Sequence, residues 1–216
     1  MYITNEHGRL RVTTIPLGAM TTNCYFVWDV ASRQAIVIDP ADSGEFLLEV
    51  LSELELKPTV IVFTHAHFDH VLGSLALSSI ASIPTWLHAA DIPLLARAQK
   101  SAAHWLGYPV DPVPAATNLL TNETTFKIGK EILSIIHLPG HTPGGIGIGV
   151  FSGSTPFICS GDLITDEGLG TSTHSYSSKV DFKKSLERLA KLPTTTLLYP
   201  GHGKTILAEH LDFSVQ

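Results

Sequence analysis

The sequence is short of charge, of cysteine and of long apolar runs, and each shortage excludes something. Only 16% of the 216 residues are Asp, Glu, Lys or Arg, below the roughly 25% usual for soluble domains. Basic residues are outnumbered 14 to 20, for a net charge of −6, so there is no basic footprint for nucleic acid or an anionic membrane. Cysteine occurs twice, at Cys24 and Cys159, each inside an apolar stretch. That reads as two buried thiols, not as a disulfide framework or a thiolate metal site. No apolar run approaches the roughly 18–20 residues of a membrane span, and the N-terminus lacks the basic and apolar regions of a secretory signal. A reduced, cytoplasmic protein is the expectation. Hydrophobic residues make up 44% and mean hydropathy is slightly positive, which excludes disorder as a description of the chain. No linker divides it, so 1–216 reads as a single domain.

What the chain does have is histidine, 11 in all. Histidine is the commonest metal ligand and the usual proton shuttle near neutral pH. Whether these residues are grouped depends on the elements that carry them. Runs rich in Val, Ile, Tyr and Phe predict strands over 9–17, 23–28, 35–39 and 59–63. Further strands are expected over 84–88, 131–138, 145–151, 156–159 and 196–199. Ser43 is placed to cap a helix whose Phe46, Leu47, Val50, Leu51 and Leu54 face inward and which ends at Lys57-Pro58. Other helices are expected over 72–81, 91–104 and 179–192, with a short one after 202. Residues 107–124 and 166–178 read as loops. Strands alternating with helices imply helices packed outside a strand-rich core.

Thr64-His65-Ala66-His67-Phe68-Asp69-His70 places three histidines and an aspartate within six residues, just after an apolar strand. A strand end feeding a loop is where such folds put chemistry. On extended chain His65 and His67 point the same way and can ligate one ion. If the chain turns into a helix next, Asp69 and His70 can serve a second ion about 3.5–4 Å away. Later turns, each after a strand and each with a glycine before the ligand, supply His141, Asp162 and His202. Asp162 is a carboxylate able to bridge two cations. Five histidines and two aspartates form an N/O donor set that suits zinc, manganese or iron.

These residues resemble the metallo-β-lactamase superfamily: the His-x-His-x-Asp-His cluster, Gly-His141, Gly-Asp162 and Gly-His202, in that order, with Asp39 at the superfamily's early aspartate. The resemblance covers nearly the whole chain. It implies an α+β fold, an αββα sandwich of two mixed sheets with helices on the outer faces. It also implies a centre for two divalent ions, zinc first, iron or manganese as alternatives. His65, His67 and His141 would bind one ion, Asp69, His70 and His202 the other, and Asp162 would bridge them. Asp69 would also pass a proton, and Asp39 would orient a ligand histidine. Within the superfamily the Pro-Gly-His141-Thr-Pro-Gly-Gly and Tyr-Pro-Gly-His202-Gly segments look most like the glyoxalase II-like branch. That implies hydrolysis of a small acyl substrate, first of all a thioester such as a hydroxyacylglutathione. B1-type lactamases carry Cys at the position of Asp162, which counts against β-lactams.

Two departures bear on substrate. The chain ends 14 residues after His202, without the branch's C-terminal glutathione-holding region. Thr171 follows Gly168-Leu-Gly170 where the branch has Arg or Lys. His174, Tyr176 and Lys179 are the nearby residues able to replace that cation. Lactone or ester hydrolysis uses the same machinery, a persulfide dioxygenase would use one iron, and a metal-dependent binding module is the non-enzymatic alternative. His88 and His137 are expected to support strands near the site, and His7, His104 and His210 to lie at the surface. Lys179, Lys183, Lys184, Arg188 and Lys191 form a solvated helix face.

Overall fold

The computed structural model describes residues 2–213. Strands β1 (Ile3–His7), β2 (Leu10–Leu17), β3 (Thr22–Asp29), β4 (Gln34–Ile38), β5 (Lys57–Val62), β6 (Thr85–His88) and β7 (Asn118–Leu120) form one sheet in that spatial order. Pairing is antiparallel from β1 to β4 and parallel from β4 to β7. The second sheet uses β8 (Thr125–Ile128), β9 (Glu131–His137), β10 (Ile146–Val150) and β11 (Phe157–Gly161). A small separate pair follows, β12 (Ile164–Thr165) with β13 (Gly168–Leu169). β14 (Leu197–Pro200) and β15 (Ile206–Leu207) complete the second sheet, whose order is β15-β14-β11-β10-β9-β8. Only β11 and β14 run parallel in it.

The period-2 alternation of each strand sends its side chains to two different cores. From β3, Tyr25 and Val27 enter the space between the sheets, where they meet Leu133, Ile148, Phe157 and Tyr199. Cys24, Phe26 and Trp28 point the other way, under α1 (Gly44–Glu53), α2 (Ser74–Ile80), α3 (Ile92–Leu95) and α4 (Ala98–Leu106). All eight residues of β3 are buried, as expected of a strand covered on both faces. The outer face of the second sheet packs Leu138, Ile158 and Leu198 against Phe182, Leu186 and Leu189 of α5 (Lys179–Leu189). The result is the expected α+β, αββα sandwich of two mixed sheets. Both cysteines are buried and free. No helix among the described residues is long and apolar enough to cross a membrane.

Several expectations need correction. The helix expected over 91–104 is a 3-10 turn followed by two short helices, α3 and α4. The Arg97 N–H bonds Leu94 O instead of Pro93 O, and the Arg97 side chain takes the Pro93 carbonyl through Nε. Ser43 sits at the start of α1 in left-handed conformation, and its side chain caps nothing. Phe46 is turned outward, at 38% exposed. Residues 107–124 are not all loop: β7 lies there, tied in by reciprocal bonds between Thr85 and Thr117. β13 likewise lies in the expected loop over 166–178. β1 and β8 are edge strands that the sequence does not announce: β1 carries Thr4, Asn5 and Glu6 in a row, and β8 is four residues long with Thr125 and Lys127 exposed. His7 is not at the surface: it is 5% exposed, with Nδ1 on Thr155 O and Nε2 on the Tyr199 hydroxyl. His104 and His210 are exposed as expected. So are Lys179, Lys183, Lys184 and Arg188, turned outward from the buried face of α5, and Lys191, which lies just past the end of that helix.

Candidate metal centre

The two sheets are laced together at one end of the sandwich, and the histidines gather there. Asn23 at the start of β3 bonds Gly201 O through its amide N–H, and Pro200 O and Gly203 O through its side chain. The Tyr25 hydroxyl also donates to Pro200 O. Ile146 N–H donates to Thr64 O at 2.9 Å. Loops leaving β4, β5, β11 and β14, with the turn between β9 and β10, are thereby held against each other.

Asp39, closing β4, accepts from Thr64 N–H at 2.7 Å on Oδ1, and from Thr64 Oγ1 at 2.6 Å on Oδ2. Its Oδ2 also takes His70 Nδ1 at 2.9 Å. This fixes the ring of His70 with Nε2 facing the centre. Phe68–His70 is a single 3-10 turn, so Asp69 and His70 come to the same side, the condition set out for a second ion.

Two donor sets result. His65 Nε2 and His141 Nε2 each lie 3.1 Å from His67 Nδ1, and Asp162 Oδ2 lies 3.8 and 3.6 Å from the first two. Beside them, Asp69 Oδ2 lies 3.6 Å from His70 Nε2 and 3.3 Å from His202 Nε2. Asp162 reaches this set too, at 3.4 Å from His70 and 3.5 Å from His202. Such separations match the edges of a coordination polyhedron with ligand bonds of about 2.0–2.2 Å. His70 Nε2 and Asp162 Oδ1 are buried and make no hydrogen bond, a cost of about 1–3 kcal/mol per group unless a cation takes them up. Orphaned buried donors and an all-N/O set therefore fit divalent ions in both places.

The histidines are held from behind, which fixes ring orientation. His141 Nδ1 sits on Thr171 O at 2.7 Å, His202 Nδ1 on Met20 O at 3.1 Å, and His67 Nε2 on the Tyr176 hydroxyl at 2.7 Å. Burial holds His65 well below the usual imidazole range, and burial with the neighbouring His141 brings His67 to about 3. Burial opposes protonation of His70 and His202 as well, but carboxylates outweigh it. Asp162, Asp69 and Asp39 raise His70, and bonds to Asp162 and Asp69 raise His202 to about 9. For Asp69, burial is outweighed by the His70 charge and the His202 bond, leaving it at about 2.

Two glycines are dictated by this crowding. A Cβ on Gly201 would stand 1.9 Å from Asp162 Oδ1 and 2.7 Å from His70 Cε1. Gly161 has φ +54°, and its Cβ would press on Thr64 Oγ1 at 2.6 Å.

The seven proposed ligands are thus brought together, with Asp39 and Tyr176 bonded behind them. His174 stacks on Tyr176 at 5.1 Å and borders the cleft. Lys179 opens α5 at the surface and does not line it. His88 and His137 stack at 4.1 Å, and His137 Nε2 reaches Pro143 O beside the His141 turn. Sequence reasoning missed Thr22, which donates to Asp69 Oδ2 at 2.7 Å, and Asp91. The Asp91 carboxylate is fully buried and accepts from Ala66 N–H, Thr142 Oγ1 and Gly144 N–H at 3.1, 2.8 and 2.6 Å. It joins the His65–His67 segment to the His141 turn. Its signal was present: like Asp39, it closes the turn after a parallel strand. Above the donors lies a cleft of about 580 Å³ bounded by α3 and α4, Met20, His174 and Tyr176.

The metallo-beta-lactamase superfamily pattern matches residues 17–202, and the chain belongs to that superfamily, whose members are generally metal-dependent hydrolases. Among its relatives is the hydroxyacylglutathione hydrolase GloC of Haemophilus influenzae, 27% identical over 90% of this chain and 91% of GloC. A solved structure of TTHA1623 in a di-iron-bound form superposes with a TM-score of 0.80 at 32% identity, covering 91% of this chain and 94% of that one. The B3 metallo-beta-lactamase BLEG-1 superposes equally well, TM-score 0.80 at 29% identity, covering 91% and 93%.

Proposed function

We propose that this protein hydrolyses an acyl thioester at a centre holding two divalent ions, with zinc first and iron or manganese as alternatives. The observation that carries this reading is the pair of adjoining donor sets sharing Asp162 beneath an open cleft. His65, His67 and His141 would hold one ion and Asp69, His70 and His202 the other. Bound there, the ions would supply Lewis-acid activation of water and of the acyl carbonyl near neutral pH. Asp69, held by Thr22, takes the proton of the attacking water and returns it to the leaving group. A C–O bond forms at the acyl carbon and the C–S bond breaks, giving a carboxylic acid and a thiol. Tyr176, Thr171 O and Met20 O keep the imidazoles aimed, and Asp39 holds His70 as acceptor. A thiolate departs with little acid assistance, which suits a floor where Asp69 carries the proton and Asp162 is shared between the two donor sets.

The likeness to GloC supports the thioester. The likeness to BLEG-1 supports a second reading, cleavage of a β-lactam amide, whose nitrogen needs a proton to leave. The test is metal analysis of the purified protein, then turnover of S-lactoylglutathione, a simple lactone, glutathione persulfide and a β-lactam. Two ions per chain and thioester turnover are expected, and Asp162→Ala should lose at least one ion. Two bound ions with no turnover of any acyl substrate would overturn the hydrolase reading. Oxygen uptake on the persulfide would replace it.

A further inference from the structure

The floor of the cleft says what bond is broken; its wall says what is attached to that bond. Leu94, Ala98, Trp105 and Leu106 from α3 and α4, with Met20 opposite, make that wall apolar, and Trp105 and Met20 are 75% and 52% exposed. Set into it is Arg97, the one Lys or Arg among the residues that line the cleft. The other arginines of the chain have partners. Arg9 pairs with Asp29, Arg11 with Glu6, Arg33 lies over Trp28 and Arg188 donates to His137 O. Arg97 makes one bond, from Nε to Pro93 O at 3.1 Å, and among the described residues its terminal nitrogens have none. That bond arises from the break between α3 and α4 and steadies the guanidinium. Among the described residues the carboxylates lining the cleft are Asp69 and Asp162, both committed to the floor.

A tethered guanidinium with two free N–H faces, on an apolar wall, is built for a planar carboxylate. Among the described residues the wall carries no carboxylate to pair with an ammonium. We propose that Arg97 sets specificity, pairing with a carboxylate carried by the substrate while the substrate's apolar body lies along Trp105 and Met20. The preferred substrate class is then an acyl thioester or ester with an anionic end, remote from the scissile bond. This rests on the hydrolase reading of the same centre.

The test compares S-acetyl-3-mercaptopropanoate with its methyl ester, in which a methyl group caps the remote carboxylate and removes its charge. Metal-loaded wild type should favour the acid by about ten-fold in kcat/KM, chiefly through KM, the size of one charge-assisted pair. Arg97→Met should bring that ratio to about one, and Arg97→Lys should recover part of it. A second readout needs no turnover. In metal-free protein, tryptophan fluorescence should report hexanoate binding about ten-fold more weakly in Arg97→Met than in wild type, with no such gap for hexanol. Equal turnover of acid and methyl ester by wild type, or an unchanged ratio in Arg97→Met, overturns the proposal. If neither compound nor any acyl substrate named above is hydrolysed with two ions bound, the hydrolase reading fails, and the hexanoate series still decides Arg97: a ten-fold gap upholds it, equal binding rejects it.

Discussion

The floor of the cleft and its α3–α4 wall differ in how firmly they are held. On the floor the aspartates, histidines and backbone are tied from behind: His70 to Asp39, His141 to Thr171 O, His202 to Met20 O, Asp69 to Thr22, and the loops to Asp91. The wall is two short helices meeting at a break, with Trp105 mostly in solvent and one singly tethered arginine. The contrast teaches where tolerance lies. Bond-breaking needs donor atoms placed within a few tenths of an ångström, whereas choosing a substrate needs a surface and one charge. Changes on the floor should therefore remove function, and changes on the wall should redirect it.

Gly201→Ala is the severest way to break the floor. Its Cβ would fall 1.9 Å from Asp162 Oδ1, and metal titration should show affinity reduced by about 100-fold or more. Retained affinity at both positions would mean that Gly201 does not set the Asp162 position. Asp91→Asn should act next. Its amide NH₂ must face N–H or O–H donors, which costs about 2–3 kcal/mol and should lower the melting temperature by roughly 5–10 °C. Its metal occupancy should fall too, because the loops carrying His67 and His141 lose their common acceptor. Thermal scans showing no shift would remove Asp91 from that role.

The smallest effect lies far from the cleft. Burial pushes the His7 imidazole below its ordinary value despite its bond to Thr155 O. The folded protein thus keeps His7 neutral where the unfolded chain takes up a proton, so stability is intact above about pH 6.5 and declines as pH falls through that value. His7→Gln should remove that contribution. Its melting temperature should lose roughly one to two degrees less than wild type between pH 7.5 and 5.5. Parallel curves for the two proteins would show that His7 contributes nothing to the acid limb.

Much of the floor was legible because its signals are local. Three histidines and an aspartate after an apolar strand can be read from neighbouring residues alone, and so can glycine before each later ligand. Lys179 read as a substrate candidate by proximity in sequence, yet the helix it opens carries it to the surface. His7 read as surface because nothing beside it is apolar enough to foretell Phe157 and Tyr199, which come from the other sheet. Arg97 falls inside an expected continuous helix, and only the break between α3 and α4 leaves Pro93 O to its side chain.

The sequence by itself determined the type of centre: which donor atoms exist, that they are nitrogen and oxygen, and that each sits at the end of a strand. Only the tertiary structure decided which of them meet, that Asp162 stands between the two sets, that Asp91 and Thr22 belong to the same assembly, and that a lone guanidinium faces the cleft. Strand-end motifs follow from neighbours within a few residues, where backbone stereochemistry dominates. Contacts such as Asp69 with His202 or Thr142 with Asp91 follow from closing two sheets on one another, and depend on every residue that packs between them.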